Sequence, residues 1–119
     1  MPENFRRFEA GPDPFERIWQ VEFRWLQTAI SIRHADTVDV KFVIWTKDEE
    51  RQERVLALSH PDLLSLSRET GHPLTDAWCM KLAASHLRRM IESGEDLEKV
   101  LVTLSAADLA QAAQKPQPV

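Results

Sequence analysis

The stretch HPLTDAWCMKLAASHLRRMIESGED, residues 72–96, holds the only cysteine of the chain, Cys79, and two of its four histidines, His72 and His86. A thiol and an imidazole are the partners of nucleophilic catalysis, and both are also metal ligands. Their spacing argues against either role within this segment. On a helix, residues seven apart project from nearly the same side. The rise of about 1.5 Å per residue nevertheless sets the Cα atoms of Cys79 and His86 roughly 10.5 Å apart, whereas a nucleophile and its base must approach to about 3 Å. Metal ligands on one helix favour i,i+4 spacing, and Ala83 and Met90 occupy the positions a ligand would need. Ser85 beside His86 fares no better, because adjacent helical residues point about 100° apart.

What remains is an arrangement made in three dimensions. His60 and His72 stand in the contexts SHPD and GHPL, each beside a helix start, and with Asp76 and Cys79 they form the one candidate ligand site in the chain. The competing expectation, and the favoured one, is that Cys79 is a buried structural thiol. It adjoins the apolar stripe Ala77, Met80, Ala84, Leu87 and Ile91, which has core spacing. No catalytic, cofactor-binding or metal-ligating residue is assigned, and no cofactor is expected.

Other chemistries are excluded more firmly. With only Gly11, Gly71 and Gly94 in the chain, neither Gly-rich phosphate-binding fingerprint can be written. The acidic sets Asp48, Glu49, Glu50, Glu53 and Glu92, Glu95, Asp96, Glu98 do not match a calcium loop and read as solvated. The net charge is -4 with both signs interleaved, and the only adjacent basic pairs are Arg6-Arg7 and Arg88-Arg89. Without a basic stripe, no nucleic-acid partner is expected. No apolar run approaches the roughly 20 residues of a membrane span, and a polar start with a single cysteine fits a cytoplasmic protein. An apolar content of 43% with 29% charged residues suits one globular domain.

The elements that must position these groups follow from periodicity and punctuation. Residues 14–114 are expected to form one α+β domain, with 1–13 and 115–119 as loose termini. The segment DPFERIWQVEFRWLQTAISI has two readings. As a helix over about 14–28 it places Phe15, Ile18, Trp19, Val21, Phe23, Trp25, Leu26, Ala29 and Ile30 on one broad side, with Asp13, Pro14 and Glu16 as an N-terminal signature. As a strand it shows Trp19, Val21, Phe23 and Trp25 in alternation, but the apolar positions become even-numbered from Leu26, which requires a bulge. The helix is the preferred reading. Two strands then flank a polar loop at His34–Thr37, the second running through Val38, Val40, Phe42 and Ile44. Its end is apolar on both faces at Val43 and Trp45, as though another element covered it. A third strand lies near 54–58 and a short fourth near 99–104. Helices are expected at about 61–70, closed by Gly71, at 76–93 between Thr75 and Gly94, and at 106–114 behind a Ser105/Asp108 capping box. The basic pair Arg88-Arg89 suits the end of the second of these helices. The sum is a small, largely antiparallel sheet of about three or four strands backed by helices.

Four Trp and five Phe leave more aromatic surface than so small a core hides, and Trp19, Phe23 and Trp25 are the candidate interface residues. The leading expectation is a non-catalytic interaction or regulatory module that self-associates, as a homodimer or larger, through its N-terminal helix and sheet edge, with another protein as the other partner considered. The alternatives are a small enzyme or ligand-binding protein with a site near His72–His86, and an acidic inhibitor or immunity-type protein.

Overall fold

The computed structural model describes residues 6–29 and 37–114. These form, in chain order, β1 (Arg7–Ala10), β2 (Trp19–Ala29), β3 (Thr37–Trp45), β4 (Gln52–Ser59), α1 (His60–Thr70), α2 (Asp76–Ser93), β5 (Leu101–Leu104) and α3 (Ala106–Gln114). The five strands make one sheet in sequence order. The first four pair antiparallel with their neighbours, and β5 adds parallel to β4 after the crossover through α1 and α2. The α+β class with a largely antiparallel sheet is as expected, with one strand more than the largest number anticipated. That extra strand, β1, lies inside the 1–13 segment expected to be loose.

The main correction is β2. Residues 19–29 are a strand, not part of a helix over 14–28, and the register shows why the period of two seemed to break. Phe23 stands opposite Phe42 but Trp25 opposite Lys41, so Arg24 is an extra residue in the ladder. A bulge of this kind, with its first residue near the right-handed helical region, turns the strand by one position and needs no glycine. Arg24 accordingly keeps a negative φ. Trp19 and Val21 face the core before the bulge, and Leu26 packs against the same core after it. Arg24 and Trp25 both lie on the other side of the sheet.

The N-terminal signature is real but caps only a turn. Asp13 Oδ1 accepts the backbone N–H groups of Phe15 (2.9 Å) and Arg17 (2.8 Å). Glu16, at φ 65°, then takes the left-handed conformation and stops the winding after one turn. The backbone folds back on itself through Asp13 N–H to Arg17 O at 3.0 Å. Gly11 closes the other side at φ 122°, where a Cβ would meet Arg17 O at 2.8 Å, so only glycine fits.

Later punctuation behaves as expected. Thr75 Oγ1 accepts the N–H of Trp78, and Gly94, at φ 77°, ends α2 by donating to Met90 O. Ser105 and Asp108 bond reciprocally at 3.0 and 3.1 Å, a capping box for α3. The basic pair is not in the last turn of α2. Arg88 instead lies over the Phe8 ring of β1 at 5.0 Å, and Arg89 donates to Gln111 of α3.

All three helices pack on one side of the sheet. The inner side chains Val21, Val40, Phe42, Ile44, Leu56, Leu58 and Leu104 form one cluster with Leu63, Leu82, Leu87, Ile91 and Leu109 from the helices. Each fully buried side chain of this size contributes roughly 1.5–3 kcal/mol relative to exposure, which is why the sheet holds α2 flat across it. Ala77, expected in the core stripe, is exposed, and its place is taken by Trp78 and Leu82.

Candidate interaction surface

The four candidate ligand-site residues do not gather at one polar cavity. His60 is the first residue of α1 and His72 follows its end. An 11-residue helix is about 16 Å long, and that length separates the two imidazoles' backbones. His72 is exposed and stacks on Trp78 with ring centroids 6.0 Å apart. Asp76 begins α2 at the surface, whereas Cys79, one turn on, is 2% exposed within the core cluster. Burial pushes the Cys79 thiol up to about 11, with the neighbouring Asp76 carboxylate acting in the same sense. His86 sits further along α2 with its Nδ1 buried and unbonded, and burial lowers its pKa against the pull of Asp108. Among the described residues no three His, Cys, Asp or Glu side chains are placed to hold a metal ion.

The charged groups nearest a cavity are engaged in holding loops. A recess of about 260 Å³ is bordered by Asp13, Arg17, Glu49, Arg54 and Glu98. Asp13, 5% exposed, takes two further bonds at Oδ2, from the Trp19 indole (3.0 Å) and Arg17 Nε (2.8 Å). Arg17 also pairs with Glu49. Arg54, equally buried, donates to the carbonyls of Leu97 and Glu53 and to the Gln52 side chain, tying β4 to the loop before β5. A second, larger cleft of about 690 Å³ lies at the same end of the molecule, between the β1–β2 and β3–β4 loops, with Ile18, Gln20 and Trp45 in its lining.

The more extended feature is the side of the sheet that the helices leave uncovered. Register places Trp25, Lys41, Val55 and Leu101 in one row across four strands. Beside it run the rows Glu22–Val43–Glu53 and Gln27–Asp39–Ala57–Thr103. Val43 and Ala57 are buried yet belong to no part of the helix-covered cluster, so their neighbours on this outer face shield them. None of the described helices covers Val43 and Trp45, where their apolar pattern led to the expectation of another element; Trp45 lies beneath the Arg51 guanidinium, 4.4 Å from its ring centroid. The charges of this face are largely matched within it. Arg24 pairs with Glu22 at 2.9 Å, Lys41 with Glu53, and the Lys41 ammonium also sits 5.6 Å over the Trp25 ring.

Of the three aromatic residues expected at an interface, only Trp25 is on this surface, at 37% exposure. Trp19 is 2% exposed with its indole bonded to Asp13, and Phe23 packs edge-on against Phe42 at 6.1 Å. The face ends at β5, where Val100 and Leu101 are 60% and 59% exposed. Sequence reasoning did not single out these two, although an uncharged run VLVTL with no proline, beside a loop, is the mark of an unguarded edge strand. None of the described helices is long and apolar enough to cross a membrane. Comparison with protein-family models, with curated proteins and with solved structures returned no match for this chain.

Proposed function

We propose that the chain is a non-catalytic interaction module that self-associates through its sheet. The observation that carries this reading is the apolar margin of the sheet at β5, where Val100 and Leu101 are 60% and 59% exposed and the charges of the adjoining row, Lys41 and Glu53, are already paired with one another. Such a margin gives up little charge solvation when it is covered, and it offers exposed aliphatic side chains to a partner. Its mixed, self-paired charge is unsuited to a polyanion, so a protein surface fits it better than nucleic acid. A two-fold dimer uses one patch twice and is the commonest closed assembly of a small protein.

Sedimentation equilibrium over a dilution series is the test, with Leu101→Glu beside the parent. The expected result is a parent dimer that dissociates on dilution and a variant that dissociates at higher concentration. A parent that stays monomeric at high micromolar concentration overturns the reading.

A further inference from the structure

Building on that self-association, we infer that the partner is a second copy of this chain and that it docks at the free edge of β5, antiparallel about a two-fold axis, to make one continuous ten-stranded sheet. The two edges of the sheet are built differently. β1 carries Arg7 and Glu9 within its four residues, and charges on an edge strand discourage pairing. β5, with the sequence LVTL, has neither charge nor proline.

The hydrogen-bond pattern determines what this edge can accept. Val55 stands opposite Leu101 and its N–H donates to Val100 O at 2.7 Å. In a parallel ladder the residues on either side of the opposed one make the bonds. The even-numbered residues of β5 therefore turn their backbone groups toward β4, and Leu101 and Thr103 turn theirs outward. Their side chains are exposed while Val102 and Leu104 face the core. An antiparallel copy must keep inner residues opposite inner residues, which permits registers centred on Leu101, Thr103 or Val102; the first needs the outward N–H of Lys99, which is already bonded to Asp96 O at 3.0 Å. The register centred on Thr103 needs the outward N–H of Ser105, and that group is likewise already bonded, to Asp108 Oδ2 at 3.0 Å. The register centred on Val102 needs only Leu101 and Thr103, giving four inter-copy backbone bonds.

In the Val102-centred register Leu101 lies opposite Thr103 of the other copy on the outer face, and Val100 opposite Leu104 at the margin of the core layer. Charge is complementary at both ends. Lys99 comes opposite Ser105 of the other copy, where the Asp108 carboxylate sits at the edge. Its present partner, Asp96 at 3.0 Å, forms an exposed pair that contributes little and is readily exchanged. The residues that begin α3 beside this edge, Ala106 and Ala107, are exposed and too short to bar the approach.

The test uses the full chain and three variants in sedimentation equilibrium, with circular dichroism and thermal unfolding to confirm each fold. Thr103→Pro removes an N–H that faces solvent, a place where an edge strand tolerates proline. Two of the four bonds are lost, and the dimer is expected to weaken by roughly 30-fold or more. Leu101→Lys puts a charge on the edge without touching the backbone and is expected to weaken it too, so the result stands even if Thr103→Pro fails to fold. Trp25→Glu lies three strands away, about 14 Å from β5, and leaves the dimer intact. Val102→Cys, opposite itself across the axis, is expected to cross-link the dimer under mild oxidation. A dimer that ignores Thr103→Pro and Leu101→Lys, or that dissolves with Trp25→Glu while Val102→Cys stays uncross-linked, overturns the edge pairing and leaves self-association standing. A monomeric parent overturns both.

Discussion

Asp13→Asn is the most informative single change in the fold, because it preserves size while removing only charge and half of the acceptors. The carboxylate makes four bonds: Oδ1 holds two backbone amides of the 13–17 turn, and Oδ2 holds the Trp19 indole and Arg17 Nε. An asparagine carbonyl can keep the two amides, and its NH2 then confronts two donors. The Trp19 indole, in a residue 2% exposed, loses its acceptor without access to water, which costs about 1–3 kcal/mol. The Arg17 side chain is 37% exposed and is solvated when released, so it adds little to the loss. The expected loss is about 2–3 kcal/mol, or about 10 °C in melting temperature for a domain of this size. Urea unfolding followed by tryptophan fluorescence reads it directly.

The pH dependence of that loss is fixed by the same contacts. Burial opposes ionisation of Asp13, but the Arg17 amide, the Trp19 indole, the Arg17 guanidinium and the Phe15 amide outweigh it and lower the pKa from 3.8 to about 2. Between those values the folded state binds fewer protons than the unfolded one, so the stabilisation is complete above about pH 4 and fades as pH falls toward 2. The asparagine variant has no such titration, and the stability gap between the two proteins should close over that window. A gap under about 0.5 kcal/mol at pH 7, within the range of an ordinary surface change, refutes the reasoning, as does a gap unchanged down to pH 2.

Two further outcomes are expected from the buried groups of α2. Cys79, 2% exposed and pushed up to about 11, should react with a thiol reagent at neutral pH orders of magnitude more slowly in the native protein than in denaturant; equal rates contradict its burial. His86 is lowered below 6.5, first by burial and then by Arg89, against Asp108 and Asp96. Its neutral form is the one the fold accommodates, so its contribution is present above pH 6.5 and lost as pH falls below it. His86→Gln should flatten the decline in stability on that acid side, measured by urea midpoints between pH 7 and 5; an unchanged slope excludes the residue as its source.

The parts of the fold legible in the sequence are those set by local chemistry. Thr75 and Gly94 bracket α2, Gly71 ends α1, the Ser105/Asp108 box opens α3, and the alternation Val38–Ile44 marks β3, because each depends on a few neighbouring residues. β2 was not legible as the preferred element, since Arg24 shifts its alternation by one position and a bulge with negative φ leaves no glycine or asparagine as a marker. Asp13 misled for a related reason: it caps amides just as an N-cap does, and only the left-handed Glu16 reveals that the helix never continues. β1 has four residues, too few for a period to stand out from its proline-rich surroundings. At the surface, the apolar Val43 and Trp45 were visible, but a residue shielded by its own sheet and one covered by a helix have the same one-letter code.

The parallel seam between β4 and β5 also governs the order in which the molecule comes into being. β1 to β4 join through short connections, so their pairings close small loops, whereas residue 55 meets residue 101 only after the whole crossover has been laid down. During synthesis the four-stranded meander emerges first, with Val40, Leu56 and Leu58 bare until α2 arrives, and a chain stopped near residue 60 is expected to aggregate through that side. The last strand to be added is also the one whose rim is unguarded. A copy therefore presents that rim only after α1 and α2 have been made to cover most of its interior, with α3 alone still to come, so chains stopped before β5 cannot join one another through it.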